Sequence, residues 1–382
     1  MFRKTIAAIL CFLLVFCLFV GCGAKKETPE KTTEETVAEL ETTAAEQTQQ
    51  ESEKLLDIKF STKDVQKMSN WKNDNYYVSN GVWSVLGVDK IQKKYGMSTS
   101  KSGSEESLIC EKFCYSITII DEWIYCCARV NGSETNSIIK IRISGSGEKT
   151  LVEPQKNCSI GEMMIYDSMI YFTEYNLNNN NGSTLYCCDL NGKNRKTVID
   201  KKIYEFYIIG DTVLYTDFET MRLHTCTISG ENEKLLVDDW VMNFIYDGSK
   251  LFYLGFKENM TRKEFEKLDD LYKCVIKCVF SENEKGEIIV SNASSLTDIA
   301  IDDEYIYYGN YDDSSRLYRV TKDGKKTMLV SKDTYVEDML LYGDSIIYID
   351  LKKEKGDLYY FEKVVCSDKN GDNKVLLNDL YN

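Results

Sequence analysis

Fourteen cysteines and a single histidine are the residues whose types could do chemistry. Thiolates and imidazoles bind zinc or act as nucleophile and base, and both uses need particular spacings. The spacings here suit neither. Cys126-Cys127 and Cys187-Cys188 are vicinal, and neighbours in a strand point to opposite faces. Cys110 and Cys114, like Cys274 and Cys278, stand four apart, an unusual ligand interval. His224 has no second imidazole to work with, and no G-x-S-x-G nucleophile turn is present. Free cysteine otherwise behaves as a small hydrophobe. Setting Cys11, Cys17 and Cys22 aside as part of a leader leaves eleven, an odd number that completes no disulfide framework, although one bridge stays open. Asp368-Lys369-Asn370-Gly371-Asp372-Asn373 opens like a calcium loop but has no glutamate at its twelfth position. No metal site and no cofactor is expected. With 61 acidic residues some carboxylate pairing is inevitable, so paired carboxylates for glycan hydrolysis or lysis remain one catalytic reading. Trp83, Trp123, Trp240 and Tyr76-Tyr77 could stack on sugars, or pack a core.

Strands must position these groups. The chain holds 26 Tyr and only 2 Pro in 382 residues, and aromatic and β-branched enrichment favours strands. Asp298–Ser331 reads as four of them: Asp298–Ile301, Tyr305–Tyr311, Leu317–Thr321 and Thr327–Ser331. Two of its features recur. One is an apolar strand shortly after a turn glycine: Leu108–Cys110 after Gly103, Thr150–Val152 after Gly145, Thr197–Ile199 after Gly192, Leu235–Val237 after Gly230, Ile288–Val290 after Gly286, Met328–Val330 after Gly324 and Val375–Leu377 after Gly371. Glycine beside Asn, Asp or Ser is a hairpin signal. The other is a polar turn leading into an aromatic strand with an anchor tyrosine, at Tyr125, Tyr171, Tyr215, Tyr253, Tyr307, Tyr348 and, more weakly, Tyr77. Four antiparallel strands per roughly 45 residues is the pattern of a β-propeller blade. The expectation is an all-β chain whose residues 58–382 form a β-propeller of seven four-stranded blades. Six blades plus an N-terminal extension is the alternative, because the first copy is degenerate. The register accounts for several cysteines: Cys110 stands where Val152, Val237 and Val330 stand, and Cys188 and Cys226 where Val320 does. His224 takes the place of Tyr318.

The first 57 residues suggest an address. Arg3 and Lys4 precede the 16-residue apolar run Thr5–Val20, the plan of an export signal and short for a membrane span. Leu18-Phe19-Val20-Gly21-Cys22 follows, and resembles a bacterial lipobox, which implies cleavage after residue 21 and lipid attachment at Cys22. Residues 22–57 are rich in Glu and Thr and hold no aromatic residue; such a linker is expected to be disordered and extended. The formal charge of -14 opposes nucleic acid phosphates, which proteins meet with Lys and Arg.

The blades resemble the YWTD propellers of low-density-lipoprotein-type receptors, on Tyr305-Ile306-Tyr307-Tyr308 and Lys322-Asp323-Gly324. With the lipobox, residues 68–382 resemble more closely a family of YWTD-like propeller lipoproteins of Gram-positive anaerobic bacteria. That resemblance implies a fold and a lipid anchor, and no activity.

Length variation is concentrated between strands two and three, where anchor tyrosine and turn glycine lie from 15 to 33 residues apart. Variable loops on a rigid scaffold are where binding is often placed. The longest is Lys257–Asp270, with an Arg262–Leu271 stretch of helical periodicity. Asn176–Asn181, Val85–Lys94 and Lys352–Gly356 are expected on the same face. Lys257, Arg262, Phe265, Asn178, Asn180 and Trp83 are therefore the candidate binding residues. The reading is a lipoprotein tethered to the extracellular face of the cell membrane, its propeller a non-catalytic module for an unknown protein, peptide or glycan. The alternatives are an extracellular glycan hydrolase or lyase, and a structural part of an envelope assembly.

Overall fold

The computed structural model describes residues 77–79, 83–91, 94–101 and 107–377, apart from residues 131, 180, 259, 269–270, 280–284, 334 and 354–358. The leader, Cys22, the linker and the strand expected at Met68–Lys72 lie outside the described residues.

The described chain is all-β, in five antiparallel sheets built from successive four-strand meanders. The first comprises β1 (Tyr77–Ser79), β2 (Trp83–Ile91), β3 (Lys94–Lys101) and β4 (Ser107–Cys110). The second comprises β5 (Lys112–Ile120), β6 (Trp123–Val130), β7 (Ser137–Arg142) and β8 (Lys149–Val152). The third begins with β9 (Cys158–Tyr166), β10 (Met169–Asn176) and β11 (Ser183–Asp189), and its last strand opens the fourth. That strand, β12 (Lys196–Ile209), is 14 residues long. Its first half pairs with β11, its second half with β13 (Thr212–Asp217), and Ile203 with both. The fourth meander continues with β14 (Leu223–Thr227) and β15 (Lys234–Val237). The fifth is β16 (Asn243–Tyr246), β17 (Leu251–Gly255), β18 (Lys273–Val279) and β19 (Glu287–Ser294). The sixth is β20 (Ala300–Ile301), β21 (Tyr305–Asn310), β22 (Arg316–Thr321) and β23 (Thr327–Leu329). An Ala293–Asn310 pair bridges it to the fifth. The seventh is β24 (Val336–Tyr342), β25 (Ser345–Lys353), β26 (Tyr359–Asp368) and β27 (Val375–Leu376).

The strands expected after each turn glycine are present from β4 to β27. The first meander differs from expectation. Tyr77 lies in its first strand, not its second, and Val85–Lys94, expected as a loop, is mostly β2. The chain between β1 and β2 holds Asn80-Gly81, a stronger hairpin signal than the Asn73–Asn75 run upstream.

One four-stranded sheet cannot cover both its faces, so meanders must bury them on one another. Val85 and Met97 of the first pack with Ile124 and Ile139 of the second. Tyr125 and Ile138 pack with Met163 and Phe172, and Tyr171 and Leu185 with Phe206 and Tyr215. Leu214 and Leu236 meet Phe244 and Tyr253; Phe252 and Ile276 meet Ile306 and Tyr308. Tyr307 and Leu317 meet Met339 and Tyr348. A last cluster joins Ile347 and Val364 of the seventh meander to Leu86 of the first.

The anchor tyrosines from Tyr125 to Tyr348 bury their rings in these seams, and a buried phenol needs a hydrogen-bond partner. Tyr253 donates to Asp239 (2.7 Å), which Lys277 also reaches (2.5 Å) in the interior. Tyr307 donates to Asp302 and Tyr348 to Asp333, and Lys369 and Lys374 pair with those carboxylates. Each of these three tyrosines thus consumes an aspartate and a lysine that sequence alone leaves available for chemistry. Similarly, Asp368 spends its carboxylate on the N–H groups of Asn370 and Asp372 and the amide of Asn373, which makes the calcium-like loop a self-capped hairpin turn.

The turn glycines serve a second purpose. Gly192 (φ +78°) abuts Leu151 and Gly371 (φ +86°) abuts Val330, so that a Cβ would overlap the carbonyl oxygen of the last strand of the preceding meander. Gly230 meets Val198 the same way. Gly371→Ala should therefore destabilise the protein by roughly 2–4 kcal/mol, combining the penalty of a left-handed alanine with steric overlap. Urea unfolding followed by tyrosine fluorescence checks this against Gly132→Ala, whose site has positive φ but open space.

Candidate binding pocket

Three adjacent first strands carry β-bulges at one place. In β5, Ser116 and Ile117 together oppose Cys126; in β9, Gly161 and Glu162 oppose Thr173; in β12, Tyr204 and Glu205 oppose Thr216. A bulge inserts one residue, bends the strand and re-aims its side chains. Ser116 adopts φ +52° while buried, and its hydroxyl accepts the Met163 N–H (3.3 Å). At Gly161 a Cβ would press on the Thr173 hydroxyl, which accepts the Glu162 N–H (3.0 Å).

The bulges border a cavity of about 350 Å³. Phe113, Tyr115, Arg129 and Asn136 of the second meander line it, with Gly161, Glu162, Thr173, Tyr175 and Ser183 of the third and Tyr204 of the fourth. Its floor is fixed by two donors to the Ile160 carbonyl, the Tyr115 hydroxyl (3.1 Å) and the Asn136 amide (2.9 Å). Asn136 is 5 % exposed, and its Oδ1 has no hydrogen-bond partner among the described residues. Buried polar groups are nearly always paired, so a lone acceptor beside a cavity is informative.

Arg129 is the cavity's cation. Its guanidinium lies 4.9 Å from the Phe113 ring centroid, a contact worth about 0.5–2 kcal/mol. Among the described residues Arg142, Arg195, Arg222, Arg262 and Arg316 each have a carboxylate within ion-pair distance. Arg319 donates to the Lys369 carbonyl and to Asn370. Arg129 has the ring alone among the described residues. Tyr204 remains 41 % exposed in the mouth while protein crowds its ring. Desolvation first, then the charges of Glu205 and Asp298, push its phenol up to about 12, against the pull of Arg262.

Lys257, Arg262, Phe265 and Asn178, expected from loop length as binding residues, do not line this cavity. Lys257 and Asn178 are exposed on their loops. Trp83 is in β2, and Asn180 lies outside the described residues. The insertion holds one helical turn, α1 (Arg262–Phe265), closed by a capping box between Thr261 and Glu264. Phe265 packs on Trp240 (5.3 Å) and Tyr272 (5.8 Å), and Arg262 stacks on Phe218 (4.0 Å). These contacts fold the insertion down, and Arg262 reaches the pocket only through its field at Tyr204. The register did hold a signal. Arg129 and Tyr175 both stand four residues beyond an anchor tyrosine, the position Lys257 occupies in the fifth meander. The bulges that turn this position toward a shared space leave no mark in the spacing.

The eleven described cysteines are free thiols, mostly buried. Cys110 and Cys114 bring their sulfurs to 3.9 Å, and burial pushes the Cys274 and Cys278 thiols up to about 12. Such thiols are poor nucleophiles at neutral pH. Among the described residues no group of three metal-ligating side chains occurs.

No family model and no curated protein matches the chain. Among solved structures it is similar to a nidogen/laminin complex, at 13 % identity and TM-score 0.43 over 66 % of this chain and 91 % of that one. It is also similar to the computationally designed protein Ika8, at 9 % identity and TM-score 0.44 over 80 % and 97 %. A third is an oligogalacturonate lyase in complex with manganese, at 12 % identity and TM-score 0.41 over 64 % and 70 %. Likenesses this loose carry neither a site nor an activity across.

His224 lies outside the cavity, stacked on Tyr215 in the fourth meander (5.5 Å). Its Nδ1 is 3.1 Å from Glu233 Oε1 but off the line of a hydrogen bond. Burial lowers its pKa below the ordinary 6.5, with Glu233 pulling the other way. The unfolded imidazole therefore takes a proton near pH 6.5 while the folded one resists, and the unfolded state binds more protons in that window. Stability should be intact above pH 6.5 and fall as the pH drops below it. Since the chain has 1 His, a single imidazole resonance titrates in the NMR spectrum, with a midpoint under 6.5. His224→Phe should flatten the stability profile between about pH 5 and 7, the range in which an ordinary histidine titrates.

Proposed function

We propose that the meanders are the blades of a closed seven-bladed propeller that serves as a non-catalytic binding module. In this reading it is held at the outer face of the cell membrane by a lipid on Cys22, and its ligand enters the cavity of the second, third and fourth blades. The shared cluster of Leu86, Ile347 and Val364 supports closure, since it gives the first and last blades the same kind of seam that joins the others. The observation that carries the binding reading is the cavity itself. It has aromatic walls and, among the described residues, a buried acceptor without a donor and an arginine without a carboxylate, where five other arginines are paired. Concave sites with a few convergent polar groups are the usual form of a ligand pocket.

The test is a thermal-shift and NMR screen of the full chain against panels of peptides and oligosaccharides. A ligand of this site should lose at least roughly tenfold in affinity when Tyr175→Ala and Tyr204→Ala are combined, the loss expected of removing two aromatic contacts. Asn178→Ala should leave affinity unchanged. The reverse pattern would move the site to the loops.

A further inference from the structure

We propose that the cavity takes the C-terminal end of an apolar peptide chain, with Arg129 gripping the terminal carboxylate. The proposal rests on the binding reading above and names the ligand's chemistry.

Three properties of the cavity point the same way. The first is a guanidinium fork that meets no acceptor among the described residues. A guanidinium presents paired N–H donors that match a carboxylate, and Phe113 holds the plane of Arg129 without using those donors. A half-buried cation in a chain of net charge -14 would ordinarily find an internal acid, as five other described arginines do. The second is an open acceptor. Asn136 Oδ1 lies beside the same space and has no donor among the described residues. A group that accepts beside a group that donates suits a ligand whose carboxylate is followed by N–H groups, which is what a peptide end offers. The third is apolar surface at the mouth. Tyr204 lines the cavity and is among the exposed large apolar side chains. Its ring gives the ligand's own side chains a place to lie.

The charge of the whole chain decides against the other carboxylate-bearing chain, an acidic glycan. A polyacid would meet repulsion along its length, whereas one terminal carboxylate meets Arg129 within a Debye length of about 8 Å. A neutral glycan would leave Arg129 unused.

The probe is an array of peptides with free C-termini ending in varied apolar residues. The best binder is then titrated into the full chain as the free acid and as the C-terminal amide. Oligosaccharides ending in glucuronic acid or in glucose form the second arm. Expected is a free acid that binds roughly tenfold to a hundredfold tighter than its amide, the range for a charge-assisted pair. Arg129→Ala should lose a similar factor and abolish the difference between acid and amide, which makes the cycle report the contact itself. Arg129→Lys should keep part of the affinity, since it retains charge and loses the fork. Unchanged circular dichroism separates these effects from misfolding, and the Arg129 side chain makes no hydrogen bond among the described residues on which the fold depends.

Equal binding of acid and amide, or an amide penalty that survives Arg129→Ala, overturns the carboxylate grip and leaves the binding reading standing. Binding of the oligosaccharides with no peptide binding overturns the peptide assignment alone. Silence of both arms overturns the binding reading together with this one.

Discussion

The close approach of Gly192, Gly230 and Gly371 to a backbone carbonyl of the preceding meander is the constraint on which the stacking depends. Leu151 against Gly192, Val198 against Gly230 and Val330 against Gly371 are the same contact made three times. No side chain fits there, so the spacing between neighbouring sheets is set by backbone touching backbone, and the seams are filled at that spacing. Gly286 departs from the pattern. It faces Lys277 and Tyr253 of its own meander, and its N–H donates to the Tyr253 hydroxyl. There the buried Lys277–Asp239 pair helps to lock the seam. A buried ion pair is a demanding substitute, because losing either partner strands a charge at a cost of roughly 3–5 kcal/mol.

The repeat is legible in the sequence because it is written in residues with single physical uses. A glycine at positive φ, an apolar strand after it and a tyrosine in the next hairpin recur wherever the same turn and seam recur. In the first meander the polar run Asn73–Asn75 before Tyr77 imitates that turn, while Asn80-Gly81 stands between the two strands that pair. The cavity is not legible, for a different reason. It depends on where an extra residue enters three first strands, and neither Ser116-Ile117 nor Tyr204-Glu205 differs in composition from an unbulged strand. Loop length singles out Lys257–Asp270, yet Phe265 and Arg262 show that insertion packing its own aromatic floor.

Pairing sorts the charged residues. Sixty-one acids in a sequence look like a store of catalytic groups. In the fold, Asp239, Asp302 and Asp333 hold anchor tyrosines, while Asp189 and Asp368 cap their own turns. What distinguishes Arg129 among the described arginines is a guanidinium with neither an acidic partner nor another acceptor, which no single-residue reading of the sequence supplies.

The continuity of β12 bears on how the cavity can move. Because one uninterrupted strand belongs to both the third and fourth meanders, the walls bearing Glu162, Tyr175 and Tyr204 sit on a single hydrogen-bonded sheet. The wall bearing Arg129 and Phe113 is on a separate sheet, joined to it by packed side chains and by hydrogen bonds at Ser159, Ile160 and Met163. Any widening of the cavity must therefore part the second meander from a joined pair, and it would break the hydrogen bonds that Ile160, Ser159 and Met163 make with Asn136, Tyr115 and Ser116.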